Sequence, residues 1–217
     1  MLAKDVGIDL GTANILIYVK GEGIVLNEPS IVVVDTNENK VIAMGNEAKE
    51  MIGKTPENIK VIKPLKDGVI ADFEITELML NNYIKRVKAK SLLTRPRVLI
   101  CCPSNITEVE KSAIIEAAER TGARKVFIEE EPKVAAIGAG IKIKNPTGNM
   151  VIDIGGGTTD IAVLSMNNIV ISSSLRIAGN TFDQDIIYYI REKYQVLIGE
   201  RTAEDIKINY ANVYKPD

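Results

Sequence analysis

Histidine is absent from the 217 residues, and cysteine occurs only twice. Without histidine, Ser-His-Asp and Cys-His catalysis and His-ligated metals are excluded. Any chemistry must use carboxylates, hydroxyls, lysines or backbone amides. Cys101 and Cys102 are adjacent inside "RVLICCP", where they read as buried strand residues and not as a disulfide framework or a metal knuckle. A reducing compartment fits. No apolar run approaches the roughly 20 residues needed to span a bilayer. "MLAKD" is too short before the first strand for a secretory signal, so a cytoplasmic chain is expected. A basic excess is also lacking: 27 Lys and Arg stand against 29 Asp and Glu, a net charge of -2, and no global field calls for nucleic acid.

What is present suits a folded chain. A hydrophobic content of 46% with 26% charged residues can bury one large core or two smaller ones. Strand-like segments at Val6 to Leu10, Ile15 to Lys20, Ile24 to Asn27, Ile31 to Asp35 and Lys40 to Met44 predict a meander of hairpins. After a Pro- and Gly-punctuated stretch from Gly53 to Gly68, apolar residues at Ile75, Leu78, Met79, Tyr83, Ile84 and Val87 have helical spacing. Strand "RVLICC" precedes a helix with Thr107 as N-cap, Glu110 as its capping-box partner and Gly122 as a stop. Strand "KVFIEE" then leads into "EPKVAAIGAG", a small-residue helix with Pro132 in its first turn. Strands alternating with helices predict a mixed sheet with parallel parts. At Met150 the pattern restarts, with strands Val151 to Ile154, Asp160 to Ser165 and Ile169 to Leu175, then helices from about Phe182 to Tyr194 and from Thr202 to about Asn209. The chain therefore reads as an internal duplication, complete in its first copy and unfinished in its second.

Each copy opens with the same grammar. "VGIDLGTANILIYV" and "VIDIGGGTTDIAVL" both run strand, Asp, apolar residue, glycine-rich turn, strand. Such turns expose consecutive backbone N–H groups without a Cβ in the way, which suits phosphate oxygens. Gly11, Thr12, Ala13 and Asn14 supply one loop, and Gly155, Gly156, Gly157 and Thr158 the other. Asp9 and Asp153 stand just before the loops, where a carboxylate can hold a hydrated Mg2+ that shields phosphate charge. A lone copy would read as a hairpin with a helpful glycine. The duplicate, with an Asp at the same place in both, favours a two-turn clamp for a polyphosphate.

These residues resemble the actin, heat-shock chaperone and sugar-kinase ATPase superfamily: "IDLGTAN" its first phosphate motif, "IDIGGGTTDIAV" its second and "EEEPKVAAIGAG" its inter-lobe helix. The similarity is greater to the MreB/Mbl family of bacterial actins, through "GIDLGTANILIYVKGEGIVLNEPSIVVV" and "PSNITEVEKSAIIEAAERTGARKVFIEEEPKVAAIGAG", and it runs through nearly all of the chain. The resemblance implies an α/β, actin-like (ribonuclease H-like) fold of duplicated lobes with mixed sheets and a nucleotide cleft between them. It places the first lobe at 1–144, with a small inserted subdomain at about 31–66, and a partial second lobe at 145–217. It further implies ATP and Mg2+ as ligands, ATP hydrolysis coupled to polymerisation in a full-length protein, and filaments of identical subunits. Those filaments would lie on the inner face of an anionic cell membrane and direct cell-wall synthesis and rod shape together with the wall-synthesis machinery. A small-molecule kinase or a chaperone-type ATPase of the same fold is the alternative. The resemblance also predicts a longer protein, with a further glycine-rich adenosine motif and a final helix.

Residue roles carry over the same way. The acid just before the inter-lobe proline, Glu131, would position the attacking water, with Thr158 as a hydroxyl candidate for that water; read alone, Glu129 to Glu131 is an acidic helix start favoured by the dipole. "ERTAEDIK" resembles the nucleoside-contacting helix, placing Glu204 at the ribose and Lys207 on the adenine side, against a plain i, i+3 pair as the alternative. Asn180 in "RIAGNTFD" departs from the Gly, Asp or Glu of many relatives. In "YIKRVKAKSLLTRPR", Leu92 and Leu93 lie in a loop that touches the membrane in bacterial actins, flanked by Lys88, Lys90, Arg95 and Arg97. A solvated, cationic helix end is the plainer reading.

Overall fold

A computed structural model describes residues 5–91, 95–104 and 106–214. Strands β1 (Asp5–Leu10), β2 (Asn14–Val19) and β3 (Gly23–Pro29) form the expected antiparallel meander. A smaller sheet follows from β4 (Val32–Asp35) and β5 (Lys40–Met44), then α1 (Asn46–Met51) and β6 (Ile59–Ile62), in the order β5-β4-β6. A two-stranded ribbon, β7 (Leu65–Lys66) with β8 (Val69–Ile70), precedes α2 (Phe73–Ser91). β9 (Arg97–Cys102), α3 (Glu108–Arg120) and β10 (Lys125–Glu130) complete the large sheet in the order β10-β9-β1-β2-β3. There β10, β9 and β1 run parallel, as helical crossovers require.

α4 (Glu131–Gly138) leads out of the first lobe and packs on both sheets. The second meander is β11 (Asn149–Ile154), β12 (Thr159–Ser165) and β13 (Asn168–Leu175), followed by α5 (Gly179–Tyr194) and α6 (Glu200–Tyr210). The fold is mixed α/β, with two meanders that each open on a glycine turn.

The alternation in β1 and β2 buries Val6, Ile8, Leu10, Ile15, Ile17 and Val19 in one cluster with α2 and α3. Asp9, one residue out of phase, is thereby turned to the other face of the sheet. In the second repeat, Ile152 and Ile154 flank Asp153 as Ile8 and Leu10 flank Asp9, yet they are 56% and 60% exposed against 0% and 6%. The opposite face of that sheet, with Ala162 and Leu164, packs on Ala136 of α4 and on Ile143.

Some elements escape a reading of periodicity. α1 is a short helix entered through Gly45 at φ 64, β6 and β7 fall in the Pro- and Gly-punctuated stretch from Gly53 to Gly68, and β8 directly follows it. α5 begins at Gly179, earlier than Phe182, because Gly179 and Asn180 donate their N–H groups to the carbonyls of Gly155 and Gly156 (3.1 and 2.8 Å). That contact joins segments distant in sequence. Among the described residues no helix is long and apolar enough to cross a membrane.

Candidate functional site: a two-turn cleft

The β1–β2 and β11–β12 turns meet face to face. A Cβ on Gly156 would lie 2.5 Å from the Cβ of Ala13, and one on Gly157 2.8 Å from Thr12 Oγ1. Glycine at these positions is what allows the two turns to approach. The first turn is pinned by Ser30, whose Oγ donates to Gly11 O (2.7 Å) and whose N–H donates to Ala13 O (2.9 Å). The second is closed by Gly155 N–H on Thr158 O (2.9 Å) and held from outside by the start of α5. Thr12 Oγ1 accepts the N–H of Gly68 (3.0 Å), which ties the ribbon to the first turn.

Between the turns lies a cavity of about 320 Å³ whose wall includes Asp9, Glu131, Asp153 and Thr158 with both glycine turns. Glu131 arrives there because β10 passes directly into α4, with Pro132 in the first helical turn. Of the three consecutive acids, Glu129 turns to Lys133 (2.8 Å), while Glu131 faces the cavity. Burial, then the nearby Asp153, pushes the Asp9 carboxyl up to about 6. Glu131 is pushed up to about 8 by burial and by Asp9, Asp160 and Asp153. Asp153 is raised by burial and by Asp160. Every charge named as acting on Asp9, Glu131 and Asp153 is another carboxylate, so the cavity favours a cation or a proton.

Asp160 does not stand out in the sequence. It pairs in register with Asp153 across β11 and β12, is 1% exposed, and accepts the N–H of Ser104 (3.5 Å). Its signal was the acid closing "GGGTTD", which within a strand alternation reads equally as a solvent-facing position.

A second cavity of about 120 Å³ adjoins the first through Thr12, Ala13 and Asn14, and Asn180, Asp183 and Glu204 form its far wall. Glu204 pairs with Lys49 (2.8 Å). Lys207 is on neither wall; its Nζ donates to Gly179 O (2.9 Å) and pairs with Asp183 (2.8 Å). The i, i+3 alternative is thus replaced by two separate pairs that lock α6 to α5 and to α1. Leu92 and Leu93 lie outside the described residues. Of the quoted cations, Arg97 is paired with Asp5 (2.6 Å), and Arg86 with Glu28 (3.3 Å).

A family model for MreB/Mbl protein matches residues 3–217. The chain belongs to the MreB/Mbl family. It is 64% identical over 217 residues to the cell shape-determining protein Mbl of Bacillus subtilis (strain 168), covering 100% of this chain and 65% of that protein. To the cell shape-determining protein MreB of Escherichia coli (strain K12) it is 54% identical over 222 residues, covering 100% and 64%. The chain therefore spans about 64–65% of the length of these MreB/Mbl relatives. The crystal structure of MreB5 of Spiroplasma citri bound to ADP superposes with a TM-score of 0.93 at 46% identity, over 99% of this chain and 64% of that one. MreB5 bound to AMPPNP gives the same TM-score and identity, over 100% and 65%. The MamK double helical filament, at 22% identity and a TM-score of 0.82 over 99% and 67%, shares the fold.

Proposed function

We propose that this MreB/Mbl chain is the nucleotide-clamping part of a bacterial actin, binding ATP with Mg2+ between its two glycine turns. The observation that carries this reading is the convergence of both turns with Asp9, Asp153 and Glu131 on one cavity. Capture of ADP and AMPPNP by MreB5 supports it. Backbone amides of Gly11 to Asn14 and Gly155 to Thr158 would hold the phosphates, Glu204 would meet the ribose, and Lys207 would set the adenine end by fixing α6 against Gly179 and Asp183.

The residues fit Mg2+. Among the described residues no cluster of three or more metal-ligating side chains exists, but Mg2+ is commonly held by one or two carboxylates with water and substrate phosphates. Asp9 and Asp153, both raised by burial, would hold it, and when bound it supplies positive charge against the phosphate oxygens. Glu131 would orient the attacking water and take its proton as the water oxygen bonds to the γ-phosphorus and the bond to the β-phosphate oxygen breaks. Thr158, 7% exposed at the end of the second turn, offers a hydroxyl to the same water. Because Asp9 and Asp153 help hold the proton on Glu131, offsetting their charge readies it as a base.

Assembly and location extend the proposal to the whole protein: filaments of identical subunits on the inner membrane face, guiding the cell-wall machinery. Relatives named as cell shape-determining proteins support it, and they give the kinase and chaperone alternatives no support. Leu92 and Leu93, with their cationic flanks, are proposed as the membrane contact. Two assays test these parts. ATP-dependent pelleting without phosphotransfer to a small molecule is expected; phosphotransfer without pelleting would overturn the cytoskeletal reading. Replacing Leu92 and Leu93 with Ser should reduce sedimentation with anionic liposomes, and full co-sedimentation of that variant would remove the leucines from the contact.

A further inference from the structure

The second cavity is enclosed by a ring that joins the two lobes. From the first turn, Ser30 leads to Ile31, whose carbonyl accepts the N–H of Gly45 (2.9 Å) just ahead of α1. On α1, Lys49 pairs with Glu204 of α6 (2.8 Å). Lys207 of α6 then holds Gly179 O and Asp183, and the N–H groups of Gly179 and Asn180 return to the second turn. A parallel link joins Lys63, which follows β6, to Glu200 (3.0 Å), whose other carboxylate oxygen accepts from Gln184 (3.5 Å). Glu200 and Glu204 are four residues apart on α6 and so share a helix face. Both lysines and both glutamates are on the cavity wall.

We propose that Lys49 and Lys63 are positioning residues for the nucleoside end of the cleft, holding the α6 carboxylates Glu204 and Glu200 from the opposite lobe. This rests on the reading of the cleft as a nucleotide site. Lys49 engages Glu204 through Oε2, which leaves Oε1 to accept a hydroxyl of the ribose. The side chains of these pairs are 36% to 56% exposed, so each link is weak enough to part. The cavity they border is about 120 Å³ and adjoins the one of about 320 Å³ between the turns, so parting of the pairs widens its nucleoside end. The lysines then re-form the wall around the bound nucleoside, and α1 and the small sheet beside it become coupled to occupancy of the cleft.

The test compares a ligand that has a nucleoside with one that lacks it. ATP and inorganic tripolyphosphate, each with Mg2+, are titrated calorimetrically into the wild type and into Lys49→Met, Lys63→Met and Lys49→Arg. Each Met variant should weaken ATP by between about 2- and 5-fold, the range for losing an exposed pair. Tripolyphosphate affinity should not change, and Lys49→Arg should stay near wild type. Unchanged ATP affinity in the Met variants would overturn the assignment. Equal losses for both ligands would also overturn it, by exposing a general structural effect. If the wild type bound neither ligand, the nucleotide reading itself would fail and take this inference with it.

Discussion

At the scale of single residues, the site is a set of carboxylates that repel one another. Glu131 is the most sensitive of them, since burial and three neighbouring acids raise it together. Replacing it with Gln should slow phosphate release on the order of a hundred- to ten-thousand-fold, with Mg2+-ATP affinity nearly kept; a rate equal to wild type would remove Glu131 from its role. The same charges tie stability to pH. A raised carboxyl means that the folded chain holds its proton more tightly than the unfolded chain. That stabilisation is full below the ordinary carboxylate range and is lost as pH rises through about 6 for Asp9 and about 8 for Glu131. The unfolding midpoint of the nucleotide-free chain should therefore fall between about pH 5 and about pH 8.5, and Glu131→Gln should flatten that fall. A midpoint that rises over the same range would contradict the assignment. Asp9 and Asp153 were legible in the sequence because an Asp holds the same place in two repeats. Asp160 was not, since its contact with Ser104 joins segments far apart in the chain.

At the scale of elements, legibility follows the range of the interactions that fix each one. The capping box of α3 is local: Thr107 Oγ1 accepts Glu110 N–H (3.2 Å) and Glu110 accepts Thr107 N–H (2.7 Å), and four residues of sequence suffice to expect it. Thr107→Ala should cost about 1 kcal/mol of stability in chemical unfolding. The start of α5 and the small helix α1 are set by partners distant in the chain, so periodicity alone does not show them. The glycine turns lie between these cases. Their sequence announces a tight turn, while their mutual contact appears only in three dimensions. Gly156→Ala would push a methyl against Ala13, 2.5 Å from its Cβ and 3.2 Å from its backbone N. The turns must then separate, and ATP affinity should fall at least about tenfold, more than one exposed ion pair supplies. Unchanged affinity would show that the turns do not need this approach.

At the scale of the whole molecule, the duplication explains both the cleft and an asymmetry. Each repeat brings an Asp and a glycine turn to the cleft side of its sheet and an apolar row to the other side. The first repeat covers its row with α2 and α3. In the second, Met150, Ile152 and Ile154 are 63%, 56% and 60% exposed, in a chain that spans about 64–65% of the length of its MreB/Mbl relatives. The measurement that bears most directly on the nucleotide clamp is calorimetric titration of ATP into the wild type and Asp153→Ala, each with and without Mg2+. The expected result is tight binding by the wild type that depends on Mg2+, and in Asp153→Ala a loss of most of that dependence, because a principal carboxylate anchor is gone. Equal Mg2+-ATP affinity in the two proteins would contradict the two-turn clamp.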